Sequence, residues 1–408
     1  MKRIFLFLSL FLTVQLAFAQ QTTIIKAGDV PKGAIKSSVS GVDYPMAQKK
    51  PVYKVAVLCP LFLDSVDISR KLTKLPSFMM PGIEFYQGVQ IAADTMRKMG
   101  HHFDIYIFDS KSKYMNIANI IASDRLDSMD LILANASKSE LALIANYAKS
   151  KKINCVSAIS PSEANQTDNP YFTILQPRLS THVEWIHKAI NRKYADDNVI
   201  FVHNNKTSEN NAFNYFYNDE VNRVPTHFKE YVLDSYKIDS AKFMSLIDSN
   251  FKTTVILATL NPKQALANLK ALLPFAQKLN LKVFGMPTME SIKTLSKTSE
   301  FPLLPIYHTS PFINDKISPG SRYIKKMYRK KMGSDPSDLT YKGFESMFFF
   351  ANLINKYGVP FNKHIGSSRF KFITPYKILP VKEGGNLRFY ENKYLYLKRY
   401  ENGVLNYE

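Results

Sequence analysis

From Val52 onward, short apolar runs of strand length alternate with longer stretches whose apolar residues recur at three- and four-residue intervals. The first period is that of a strand and the second that of an amphipathic helix, so their alternation predicts βαβ units around mainly parallel sheets. In the first half, KVAVLCPL, FDIYIFDS (103–110), DLILAN (130–135) and INCVSAIS (153–160) are nearly continuous apolar runs, as strands covered on both faces should be. A helix over 82–99 carries Ile83, Val89, Ile91 and Met96 and closes at Met99-Gly100, a good C-cap; its Gly88 reads as a packing contact.

A second series starts after Pro177. Helices are expected over 181–194, 209–222, 240–249 and 262–279, and strands at NVIFVHNN (198–205), FKEYVLD (228–234), TTVILATL (253–260) and KVFGMPTM (282–289). A strand around 304–311, a basic helix over about 321–332, a helix over about 341–356 and a β-rich tail complete the chain, with Glu401-Asn402-Gly403 as a hairpin turn. The expected fold class is α/β, with two Rossmann-like halves in succession.

The N-terminus changes this picture in one respect. Met1-Lys2-Arg3, an apolar run from Ile4 to Leu16 and Ala17-Phe18-Ala19 before Gln20 have the layout of a secretory signal peptide, residues 1–19, cleaved after Ala19. That apolar run is shorter than the roughly 20 residues a membrane span needs, and no later run is long enough, so no stable membrane insertion is expected. Export to the periplasm follows. Residues 20–51, with scattered Gly, Pro, Ser and Lys, read as a linker.

The formal charge of +20 falls by two, to +18, once Lys2 and Arg3 leave with the leader. Lys-rich solvated helix faces account for most of it; no zinc-finger or RNA-binding signature accompanies it, and nucleic acid is not an expected partner. On the basic helix, Arg322, Lys325, Lys326, Arg329, Lys330 and Lys331 oppose Ile324, Met327 and Tyr328 at approximately helical spacing. A solvated face and an anionic-surface site are both consistent with that. Cys59 and Cys155 fall in the first and fourth strands, which are not expected to be neighbours, so both read as buried free thiols.

The order of elements and certain strings resemble the branched-chain amino-acid-binding branch of the type I periplasmic binding proteins. KVAVLCPL, FYQGVQIAADTMRKMG and FDIYIFDS are similar to that family's opening strand, its helix with an internal Gly, and its second strand ending in Asp. NPYFTILQP resembles the crossover into the second lobe, MYRKKMGSDPSDLTYKGFESMFFFANLINKYG the late helix pair, and PVKEGGNLRFYENKYLYLKRYENG the last hairpins. The resemblance covers about 52–408. It implies two lobes joined by three crossings near Pro177–Arg178, Thr309–Pro311 and Tyr357–Pro360. Lobe I would then be 52–177 plus 311–357, and lobe II 178–310 plus 358–408.

Ligand would lie between the lobes at the carboxyl ends of the strands. Ser137 and Ser160, in the turns after strands three and four, fall near the family's ligand-facing hydroxyls; both also suit helix N-caps. Asn204 ends a second-lobe strand, and Glu290 lies where the family often places an acidic contact, so it could take an ammonium group or simply start a helix. Asp109, at another strand end, reads as a capping residue. Two departures stand out: Ala134-Asn135-Ala136 replaces the usual Gly after strand three, and Lys206-Thr207-Ser208 stands in place of an aromatic-Gly signature. The loop over 62–81 is longer than usual and carries Phe62, Phe78, Met79 and Met80; a lid and a locally packed insertion both remain open.

No metal-ligand spacing of His and Cys, nucleophile elbow or phosphate-binding loop is present. Neither an enzyme nor a cofactor is expected. Two readings follow: an exported protein that captures a small polar solute, such as an amino acid, and presents it to an ABC permease or sensor; or a cell-envelope protein that keeps the fold and uses its surface to bind a protein partner, as outer-membrane activators of peptidoglycan synthases do.

Overall fold

Val55 to Cys59 are fully buried, as a strand covered on both faces requires, and they form the centre of the first of two sheets. The computed structural model describes residues 49–66, 75–297, 300–367 and 370–408. The expected leader and most of the linker lie outside them.

The first series runs β1 (Tyr53–Cys59), α1 (Met80–Lys98), β2 (Phe103–Asp109), α2 (Ile117–Ala122), β3 (Leu131–Ala134), α3 (Lys138–Lys151), β4 (Asn154–Ser157) and β5 (Phe172–Ile174). The second runs α4 (Leu179–Lys193), β6 (Asn198–His203), α5 (Thr207–Tyr217), β7 (Phe228–Val232), α6 (Ser240–Ser245), β8 (Thr253–Leu257), α7 (Pro262–Leu272), β9 (Lys282–Gly285) and β10 (Ile306–Ser310). Then come α8 (Pro319–Met332), α9 (Asp338–Tyr357), β11 (Ile378–Glu383), β12 (Asn386–Asn392), β13 (Tyr396–Glu401) and β14 (Val404–Tyr407). The sheets have the matching orders β11-β12-β5-β4-β3-β1-β2 and β14-β13-β10-β9-β8-β6-β7, parallel except where β11, β13 and β14 join. One expected buried strand, β2, proves to be an edge, and β7 is the edge of the second sheet. β2 leaves Asp104 and Tyr106 exposed, and β7 leaves Glu230 exposed, because each has a neighbour on one side only.

Helices cover both faces of each sheet. Over the first, α1, α8 and α9 pack on one side of β1 and β3, while α2 and α3 cover the other. The contact of α1 with α9 depends on two glycines: a β-carbon on Gly88 would lie 2.0 Å from the Thr340 carbonyl oxygen, and one on Gly343 would lie 2.2 Å from that of Phe85. Gly88 is thus the packing contact the sequence suggested. Cys59 and Cys155 are free and buried, β3 separates their strands, and burial pushes both thiols well above their ordinary pKa.

The chain leaves the first sheet between Ile174 and Leu179, returns between Ser310 and Pro319, and leaves again between Asn392 and Tyr396. The third passage corrects the expectation of Tyr357–Pro360. Phe361 and Ile365 pack into the core beneath α9, and β12 extends the first sheet through the parallel pairs Tyr390 with Thr173 and Glu391 with Ile174. Residues 358–392 therefore sit with the first sheet, and only β13 and β14 of the tail join the second. The Asn402-Gly403 turn is as read: φ is +50° and +76°, the left-handed pair a two-residue hairpin needs.

Candidate functional site

All four candidate residues stand at carboxyl ends of parallel strands. Ser137 follows β3 and Asn204 follows β6, each beside the point where strand order reverses within its sheet; Ser160 follows β4, and Glu290 follows β9. No hydrogen bond or ion pair among the described residues joins any two of them.

Their surroundings differ. Ser137 is the exposed N-cap of α3, where both its N–H and its hydroxyl donate to Glu140, at 2.8 and 2.6 Å; Lys111 pairs with the same carboxylate at 2.9 Å. Asn204 is tied down completely: its N–H and amide nitrogen donate to the buried Glu209 at 2.9 and 3.0 Å, and its amide oxygen accepts from the Lys206 N–H. Glu290 accepts the Lys398 ammonium and the Ser310 hydroxyl. Burial alone would raise its pKa, but the charge and hydrogen bond of Lys398, with His308 and Lys342 nearby, hold it below the usual carboxylate range. It is an anion with a cation already in place.

Ser160 lines an open cavity of about 560 Å³, with Lys138, Ser162, Glu163, Asn165 and Arg388. No helix follows β4. Instead, residues 158–171 turn back through two left-handed residues, Ala164 and Asn165, with φ of +52° and +55°. Local bonds fix this turn: the Ser157 hydroxyl donates to the Ser160 carbonyl at 2.8 Å, and the Ser160 hydroxyl accepts from the Ser162 N–H at 3.3 Å. Beneath it the buried Asn169 donates to Gln166, which donates to Asn146. Opposite, Glu163 is clamped between Arg178 at 2.5 Å and Arg388 at 2.9 Å. The cavity wall thus offers a hydroxyl, an amide, one paired carboxylate, the guanidinium of Arg388 and the ammonium of Lys138. Such a wall can hydrogen-bond a small polar molecule and hold negative charge on it.

A branched-chain amino-acid ABC transporter protein from Rhodopseudomonas palustris superposes with a TM-score of 0.61 at 11% identity, covering 87% of this chain and 95% of that one. A periplasmic ligand-binding protein of a branched-chain amino-acid ABC transporter from Burkholderia xenovorans gives 0.58 at 12% identity, covering 87% and 94%. The fold is that of the type I periplasmic binding proteins. LpoA from Haemophilus influenzae shares it, with a TM-score of 0.58 and 14% identity over 89% of this chain, which spans 60% of that protein. No protein-family profile and no curated protein sequence matches the chain.

Within the type I fold, the seam between the sheets is held by a residue the sequence reading passed over. Glu391, at the end of β12, is fully buried and accepts four donors: the Arg178 N–H at 2.8 Å and Nε at 2.9 Å, the Thr181 hydroxyl at 2.7 Å and the Lys393 ammonium at 2.8 Å. Burial raises its pKa, and the charges of Lys393 and Arg178 outweigh that and lower it. The network links the first and third passages. Because Arg178 also holds Glu163, it continues into the cavity wall. Arg388, Glu163 and Glu391 carry no local motif; the ion pairs that join them to Arg178 and to each other span 15 to 225 positions of the chain.

Asp109 has the capping role read for it. Its carboxylate accepts the N–H groups of Leu61, Phe62, Leu63 and Lys111 at 2.8 to 3.0 Å, which pins the start of the long loop after β1. In that loop Phe62 packs edge-on to the half-exposed Phe78, and Met79 is buried; residues 67–74 lie outside the described residues. Among the described residues no helix is long and apolar enough to cross a membrane, and no cluster of His, Cys, Asp and Glu suited to a metal is present.

Proposed function

We propose that this protein is an exported, non-enzymatic solute-binding protein that holds a small polar ligand against the strand-end loops of the first sheet and presents it to an ABC permease or a sensor in the periplasm. The observation that carries this reading is the open 560 Å³ cavity at Ser160, whose lining includes Lys138, Ser160, Glu163 and Arg388, in a fold whose structural neighbours are named for amino-acid transport. In this reading Ser160 contacts the ligand, Ser137 lies at the rim through its neighbour Lys138, and Asn204 and Glu290 face the ligand from the second sheet. The ligand has a carboxylate or similar anionic group, which suits Lys138 and Arg388.

A thermal-shift screen of the purified, unfolded-and-refolded protein against amino acids, short peptides, small organic anions and cell-wall fragments tests it. A ligand at a hundredfold excess over Kd stabilises by about 2.7 kcal/mol, which is easily read. Ser160→Ala should then cut the shift.

One observation favours a second reading, that of an envelope interaction protein. Asn204 and Glu290 already have intramolecular partners, which leaves the second sheet little to offer a ligand. The likeness to LpoA agrees with that reading. A screen without hits, together with a defined envelope protein recovered stably on the purified chain, would favour it over solute binding.

A further inference from the structure

The outer face of α8 carries more positive charge than its surroundings can neutralise. The helix reads PGSRYIKKMYRKKM, with six cations and no acid. Its inward side is set by the buried Ser321, Ile324 and Tyr328. At 100° per residue, Arg322, Lys326 and Lys330 fall on the opposite side, four residues apart, so they form a straight exposed row with a spacing of about 6 Å. The side chains of these three have no hydrogen-bond or ion-pair partner among the described residues. The carboxylates nearby are outnumbered. Asp335 serves both Lys325 and Arg329, and Asp94 serves both Lys331 and Arg97 of α1. Of these seven cations, four share two acids and three have none among the described residues.

We infer that this face of α8 is a docking surface for an anionic lipid bilayer. A row of unpaired cations on the exposed face of a surface helix fits an extended plane of phosphates. It fits a protein partner poorly, since protein interfaces are built on an apolar core and no large hydrophobic side chain on α8 is exposed. Nucleic acid is disfavoured by the same face, which offers no exposed aromatic ring for a base to stack on. The inference is independent of whether the cavity at Ser160 takes a solute, because the two lie on different elements.

The test is co-sedimentation of the protein, purified after export, with phosphatidylcholine vesicles with and without phosphatidylglycerol. A variant carrying Arg322→Gln, Lys326→Gln and Lys330→Gln is compared with one carrying Lys237→Gln, Lys263→Gln and Lys278→Gln, which removes the same charge from the second unit. Each cation at an anionic surface strengthens attachment by about fivefold, so the α8 variant should bind phosphatidylglycerol vesicles roughly a hundredfold less tightly, with the control near wild type and all binding weakened by salt. Far-ultraviolet circular dichroism and melting temperature should be unchanged in both variants, because all six positions are exposed. Equal loss in the two variants, binding to neutral vesicles, or no vesicle binding alongside salt-sensitive capture of polyglutamate or DNA would overturn the inference.

Discussion

β4 and β9 are the fourth strands of their series, and the chain leaves them in opposite ways. After β4 it runs helix-free past Ser160 and leaves an open cavity lined by Lys138 and by Arg388, which is itself paired with Glu163. After β9 it enters a short 3-10 turn, Pro287–Ser291, and delivers Glu290 onto Lys398 and Ser310. β6 behaves like β9, closing Asn204 onto Glu209. Two halves with matching strand order thus differ in what remains unbonded at the ends of their strands. Topology fixes where a site can be, and the polar groups left over decide whether there is one. The helical layers differ too. The first half packs α1 on α9 at backbone distance, whereas the second relies on stacked rings, with Phe216 against His187 at 3.9 Å and against Phe228 at 5.5 Å.

The largest expected effect breaks the first half alone. Gly88→Ala drives a methyl into the Thr340 carbonyl and must part α1 from α9, at a cost of about 3 kcal/mol. Hydrogen exchange should speed up across β1 and β3 while β6 and β8 keep their protection; uniform acceleration would mean that the halves do not unfold separately.

Next comes the seam. Glu391→Ala leaves Arg178 and Lys393, each about one-fifth exposed, without their carboxylate, at a cost of about 2 kcal/mol. The folded pKa of Glu391 is lowered, so its contribution is present above the unfolded value, about 4.3, and is lost as pH falls through the folded value. Wild-type melting temperature should drop toward acid more steeply than that of Glu391→Ala. Parallel curves would exclude a stabilising carboxylate.

Asn204→Ala removes the side-chain amide donor to the buried Glu209 and the amide oxygen that accepts from the Lys206 N–H, leaving the backbone donor in place, and should cost about 1 to 2 kcal/mol. Any ligand-induced shift should survive it if Asn204 serves structure alone; a lost shift would give the second sheet a share in binding. The smallest change is Ser137→Ala. It deletes an N-cap hydroxyl for about 0.5 to 1 kcal/mol, measurable by urea denaturation. Ser160→Ala, by contrast, should act on ligand affinity more than on folding, since its hydroxyl accepts only one long local bond.

What could be read from the sequence divides along the same line. Period and punctuation located most of the strands and helices, though not the short α2 or β5, because burial on both faces writes Val, Ile and Leu into continuous runs, and Asn402-Gly403 declares its own turn. The sheet to which each hairpin of the tail belongs was not legible. ILPVKE and YLKRYE are similar alternating strings, and only the pairing of Tyr390 and Glu391 with Thr173 and Ile174, more than 200 residues earlier, assigns the first of them. The site was half legible for the same reason. Ser137, Ser160, Asn204 and Glu290 follow from counting strand ends, whereas the neutralisation of Glu290 by Lys398 and the clamp on Glu163 are made by residues brought together only in the folded chain.

The late third passage also bears on how the protein is made. β11 and β12 complete the first sheet and β13 and β14 complete the second, so both sheets wait for residues 378–407 to emerge from the ribosome. Until then β5 and β10 are raw edges. The usual order, in which an N-terminal unit finishes folding while the rest is still being synthesised, is unavailable to this chain. The first sheet is completed by residues 378–392 and the second by 396–407, so a nascent chain stopped at Asn392 would carry a finished first sheet beside an unfinished second.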